Sequence, residues 1–218
     1  LAEVTPGSSK SFLVEAFDQI LIEEKTPSGF DRGITQFIPK LDLDPFALTK
    51  FHGHNAIHYC LGIKAREQGM SFMHEVRQDP ALMDWAKEAF VKEAGVGLRH
   101  KFSGFPDGLF SETGFSEYAE DALQRMVNPY LRDPIDRVTR DPIRKLGWDD
   151  RLVGSIRYAV KADVHPQKMV EAARKGLEEI QMTKNTQTLQ VALDLAWHDQ
   201  AGGEEMESIR KNILTPVL

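Results

Sequence analysis

At 218 residues the chain is long enough to bury a full core, as one domain or one plus a small appendage. Its 28% charged and 41% apolar residues are the balance of a soluble globular protein and exclude a disordered one. A net charge of −6 argues against general nucleic-acid binding, and a single cysteine, Cys60, leaves no internal disulfide and suits a reducing cytoplasm.

Residues 1–10, with Pro6-Gly7-Ser8-Ser9, read as a linker. They carry neither the basic start nor the apolar stretch of a signal peptide. Leu1 rather than a methionine opens the chain, which raises the expectation of a piece of something longer. Residues 11–218 read as one helical domain. From Ser11 to Glu24 the apolar positions Phe12, Val14, Phe17, Ile20 and Ile22 fit strand and helix periods equally. Thr26 to Asp42 is rich in turn residues, with a short strand expected at Ile34–Ile38. Asp44-Pro45 is an N-cap followed by a first-turn proline, and predicts a helix from Pro45 to about Gln68. Asp79-Pro80 starts another, striped by Leu82, Trp85, Ala86, Ala89 and Phe90 and expected to end at Gly95. Phe102 to Gly114 reads as an irregular loop. Helical patterns resume at Ser116–Met126, from Asp149 or Asp150 to Asp163, at Pro166–Met182, at Thr186–His198 and near Glu204–Asn212. No run of roughly 18 apolar residues exists to span a membrane. The fold class is mostly α, with eight or so helices packed as a bundle.

The first helix carries the chemistry. At about 100° per residue, with Lys50 at 0°, His58 falls near 80° and Asn55 near 140°. One rigid element thus presents an amine, an amide and an imidazole, a set able to take a proton from an alcohol and hold the resulting alkoxide. A lone lysine, asparagine or histidine on a helix is more often a solvated or core-satisfying residue. His52, His54, His58 and Cys60 also invite a metal. However, residues 55–57 supply no carboxylate and Cys60 points away from His54, so no metal site is expected and Cys60 reads as a small core residue.

Downstream, Arg137, Arg140, Arg144 and Lys145 form a basic group suited to a phosphate monoester. Internal pairing with Asp133, Asp136, Asp141 and Asp149 competes with that reading. Asp141-Pro142 is expected to interrupt any helix through the group, and Asn128 to cap or turn the chain before Pro129. A dinucleotide site normally needs Gly-x-Gly-x-x-Gly between a strand and a helix. The nearest approach, Gly95-Val-Gly97-Leu-Arg-His100, follows a predicted helix and lacks the third glycine.

The Lys50–Asn55–His58 spacing resembles the active-site helix of the polyol-specific long-chain dehydrogenases, the mannitol dehydrogenase family. Asn128-Pro-Tyr-Leu131 through Arg137, Arg140 and Pro142-Ile-Arg144-Lys145-Leu146 resembles its phosphorylated-polyol branch. The resemblance covers nearly the whole chain and implies a helical C-terminal substrate domain without the dinucleotide-binding domain. It further implies NAD bound mainly by that missing N-terminal domain, and interconversion of mannitol 1-phosphate and fructose 6-phosphate in the cytoplasm. Lys50 would be the base, Asn55 the alkoxide donor, His58 the sugar-orienting group, and the basic group the phosphate site. The isolated chain would be inactive. Some family members carry a carboxylate two or three residues before the lysine, where this chain has Leu48 and Ala47. The rivals are a related polyol or hexuronate oxidoreductase and a non-catalytic helical interaction domain.

Overall fold

The computed structural model describes residues 2–3, 7, 12–13, 19–25, 33–198 and 202–215. Two compact units, Leu1–Leu48 and Thr49–Leu218, divide the chain. Most of the linker expected over residues 1–10, and Val14 and Phe17, lie outside the described residues.

In the first unit β1 (Ala2–Glu3) pairs antiparallel with β2 (Phe12–Leu13), and β3 (Ile20–Glu23) pairs parallel with β4 (Phe37–Lys40). The ambiguous stretch is therefore strand where β2 and β3 lie. The strand expected at Ile34–Ile38 starts later, because the Phe37 amide bonds back to the Ile34 carbonyl at 3.3 Å and closes a turn there.

Asp44-Pro45 opens α1 (Asp44–Thr49) as anticipated, with the Asp42 carboxylate accepting the Asp44 amide at 2.9 Å. The helix then does something the sequence does not announce. It passes through a π-helical turn, Lys50–His54, before continuing as α2 (Asn55–Glu67). Ala56, Ile57, Tyr59, Cys60, Leu61, Ile63 and Ala65 of α2 are all essentially inaccessible. A helix apolar on nearly every side is a core helix.

Asp79 caps α3 (Pro80–Glu88) by accepting the Leu82 amide at 3.0 Å. The expected stop at Gly95 is wrong: a second π turn, Ala89–Ala94, leads directly into α4 (Gly95–Lys101). Gly95 and Gly97 serve contact, not termination. A Cβ on Gly97 would lie 2.5 Å from the Ala159 amide nitrogen, and one on Gly95 would lie 2.5 Å from the Phe115 ring. These glycines let helices touch backbone to side chain or backbone to backbone.

The Phe102–Gly114 loop ends earlier than expected, since Ser111 accepts the Gly114 amide at 3.0 Å and starts α5 (Glu112–Met126). After it come α6 (Ile135–Thr139), α7 (Pro142–Lys145), α8 (Arg151–Lys161), α9 (Gln167–Lys184), α10 (Leu189–Ala196) and α11 (Glu204–Leu214). The described residues thus hold eleven α-helices, besides the two π turns and two short 3-10 segments, where eight or so helices were expected, because Asp141-Pro142 splits one region into two and the π turns divide two rods. The helical class holds. α2 packs on α3, α6, α8 and α9, and α4 packs on α8. Glu93, in the second π turn, is buried and accepts the Lys168 and Met169 amides at 2.9 and 3.0 Å, capping α9 from outside its own chain segment. Among the described residues no helix is long and apolar enough to cross a membrane.

Candidate functional site

The π turn rearranges the first helix's polar face. The Asn55 amide donates to the Lys50 carbonyl, an i→i+5 bond that fits one more residue into the turn and stacks Asn55 over Lys50. Asn55 and His58, three apart in α2, are about 60° apart, and Lys50 falls within or close to that arc. The straight-helix expectation of about 140° overstated the spread. Lys50 is exposed, while Asn55 and His58 are half-buried.

The intervening histidines part company. His52 is buried, with Nδ1 3.3 Å from the Arg151 carbonyl oxygen. A Cβ on Gly154 would lie 2.3 Å from its ring, so that glycine makes room for the imidazole. His54 and His58 meet edge to face at 6.0 Å. Cys60 is fully buried, and no group of three or more His, Cys, Asp or Glu that could hold a metal occurs among the described residues.

Burial above all holds the His54 imidazole down at about 3 and that of His58 at about 4, against an ordinary 6.5. Above pH 6.5 both are neutral, folded or unfolded. As pH falls below that value the unfolded chain takes up protons that the folded chain refuses, so stability declines until about pH 3, the His58 share being complete near pH 4. We expect urea midpoints to fall steadily across this window, and His54→Gln to flatten the decline. A pH-independent midpoint would contradict the burial of these rings.

The basic group does not form one helical edge. Asp141, at φ 58°, breaks the path between α6 and α7, as Asp141-Pro142 foretold. Arg137 grips the Asp133 carboxylate with both Nε and Nη2. Arg144 donates to Asp141 at 2.8 Å and lies 3.5 Å from Asp150. The competing ion-pair reading is thus realised for these two arginines. Arg140 is exposed and forms no ion pair among the described residues. Lys145 is only 4% exposed. Its Nζ donates to the Val138 carbonyl at 2.7 Å and to the Arg140 carbonyl, filling the open end of α6. Burial, with Arg151 and Arg144 nearby, pushes its ammonium down to about 8. Asn128 turns the chain, accepting the Tyr130 amide at 3.0 Å.

These pieces meet around His58. Its Nε2 is 3.4 Å from Asp133 Oδ2, close enough for attraction but not aligned as a hydrogen bond, and it has no hydrogen-bond partner. Arg137, Lys145 and Arg151 all bear on its charge state. Arg151, which sequence reasoning did not single out, stacks over Phe51 at 5.3 Å and pairs with Asp150 at 2.9 Å. Its only signal was a position beside Asp149-Asp150 at a helix start. The nearest approach to a dinucleotide motif is not a loop: Gly95 and Gly97 are helix-packing positions, closed by Phe115 and Ala159.

Residues 42–205, which include every one of these side chains, match the family described as Mannitol dehydrogenase C-terminal domain. The chain is 30% identical over 157 residues to the mannitol-1-phosphate 5-dehydrogenase of Halalkalibacterium halodurans, covering 72% of this chain and 40% of that protein. It is 30% identical over 146 residues to the enzyme of that name from Lacticaseibacillus casei, covering 66% and 36%. With that of Pyrenophora tritici-repentis it shares 23% over 195 residues, covering 88% and 48%. The chain spans less than half the length of each of these relatives.

Proposed function

The chain belongs to the mannitol dehydrogenase C-terminal domain family, and from that membership we propose that it forms the substrate-holding and proton-handling part of a polyol-phosphate oxidoreductase of the cytoplasm. The substrate pair is mannitol 1-phosphate and fructose 6-phosphate. The observation that carries the reading is the π turn, which gathers Lys50, Asn55 and His58 on one face of a rod anchored in the core.

NAD, held by another part of the whole protein, supplies the redox chemistry. What the chain contributes is local. Lys50 takes the proton of the hydroxyl being oxidised, and returns it when the ketose is reduced. A lysine base needs desolvation, and Lys50 is exposed, so the covering surface comes from the nucleotide-binding part. Asn55 donates to the oxygen that becomes an alkoxide, a contact whose loss typically costs about 10²–10³ in rate. His58, neutral at pH 7, fixes a sugar hydroxyl. Arg140 and the outward side of Arg137 receive the phosphate, with Arg144 and Lys145 behind them.

One observation favours a second reading. Arg137, Arg144 and Lys145 are already engaged within the chain, which suits a neutral polyol or a hexuronate better than a phosphate ester. The test joins this chain to the N-terminal part of the Halalkalibacterium halodurans relative and follows NADH formation. Activity with mannitol 1-phosphate well above that with mannitol is expected, and none from the 218-residue chain alone. Robust NADH formation by the chain alone refutes the division of labour. An inert fusion, beside an active relative rebuilt from its own halves, refutes the enzyme reading.

A further inference from the structure

We propose that Asp133 is a positioning residue of this site: its carboxylate, shared between the Arg137 guanidinium and His58 Nε2, sets the orientation and the tautomer of the imidazole. The inference rests on the reading of His58 and Arg137 as substrate-contacting groups.

Asp133 is nine-tenths buried, unusual for a carboxylate on a short connecting segment. Its backbone is pinned on both sides. The Met73 amide donates to the Asp133 carbonyl at 2.9 Å, the Ile135 amide donates to the Ser71 carbonyl at 3.0 Å, and Phe72 and Pro134 form an antiparallel bridge. The carboxylate is therefore delivered by a fixed frame rather than by a mobile loop. One side is gripped by both Nε and Nη2 of Arg137, a fork that leaves Nη1 uncommitted to Asp133. On the other side, Oδ2 faces His58 Nε2 at 3.4 Å.

That nitrogen is buried and has no hydrogen-bond partner, so the nearby carboxylate acts on it through charge. A neutral imidazole carries one proton, on either nitrogen. A lone pair on Nε2 would face the carboxylate's negative charge, whereas an N–H there is attracted to it. The proton therefore resides on Nε2, and Nδ1 is left as an acceptor. His58 then orients the sugar by receiving a hydroxyl hydrogen, instead of donating one. The charges of Arg137, Lys145 and Arg151 oppose a second proton on this ring. Asp133 so couples the imidazole and the guanidinium into one preorganised pair.

The test uses the 218-residue chain with 15N-labelled histidine. Long-range 1H–15N correlations at pH 7 should show His58 protonated on Nε2 in the unaltered chain. Asp133→Asn should lose that preference, and its affinity for mannitol 1-phosphate should drop roughly tenfold or more, while Asp133→Glu restores part of both. A wild-type His58 protonated on Nδ1, or an unchanged tautomer in a folded Asp133→Asn chain, overturns the proposal. If Asp133→Asn does not fold, the wild-type tautomer decides alone. A wild-type chain with the Nε2 tautomer dependent on Asp133 but no affinity for mannitol 1-phosphate upholds the Asp133 arrangement and sinks the polyol-phosphate reading.

Discussion

Lys50→Ala, introduced into the fusion described above, is expected to lower turnover by about 10²–10⁴ with little change in unfolding midpoint. The contrast between the two measurements is the point. Lys50 is exposed, and an exposed side chain away from caps and cores typically shifts stability by no more than about 0.5 kcal/mol. Loss of rate without loss of fold therefore assigns a chemical task to the amine. A helical interaction module would show neither effect. Turnover kept within threefold or so by a folded Lys50→Ala protein, with Asn55→Ala equally silent, would favour that module.

The second large effect concerns the phosphate. Arg140→Ala is expected to raise KM for mannitol 1-phosphate by about 10- to 100-fold, the worth of a charge-assisted hydrogen bond of roughly 1.5–3 kcal/mol. KM for plain mannitol should hardly move. Arg140 is the cleaner probe because it forms no ion pair among the described residues. Arg137→Ala should produce a mixed result. It removes a phosphate contact, but it also strands the buried Asp133 carboxylate and relieves a charge that holds the His58 imidazole down. Parallel losses with both sugars in Arg140→Ala would favour the neutral-polyol or hexuronate rival.

Much of the helical skeleton was legible because its starts are written in local chemistry. Asp44-Pro45 and Asp79-Pro80 each place an acid and a proline where a first turn needs them, and both open helices as expected. Asp141-Pro142 likewise stops one helix and starts the next. The π turns were not legible. An i→i+5 bond has no residue signature comparable to a cap, and Phe51-His52-Gly53 is compatible with a plain α-helix. What forces the turn is the tertiary fit. Gly53 lies against Phe90 and Leu98, and His52 against Gly154. Gly95 misled for a related reason, since a glycine required by the Phe115 ring looks in sequence like a glycine that ends a helix.

The candidate site divides along the same line. Lys50, Asn55 and His58 stand close enough in sequence for a spacing argument to reach them. The fate of Lys145 was out of reach, because its burial depends on the carbonyls that α6 leaves open. Asp133 was visible only as one of several acids near a basic group. Nothing in its neighbourhood distinguished it from Asp136, which is exposed. Three-dimensional pairing, not residue type, separates the two.

The turn at Lys50–His54 also ties the facing of Lys50 and Asn55 to how the backbone is wound. Rewinding it as plain α-helix at the same length would swing everything beyond it by about 100° relative to the amine, whereas deleting one residue along with that rewinding would leave the register in place. Residue count and winding are therefore coupled in this stretch: a chain one residue shorter here keeps the same facing as an ordinary α-helix.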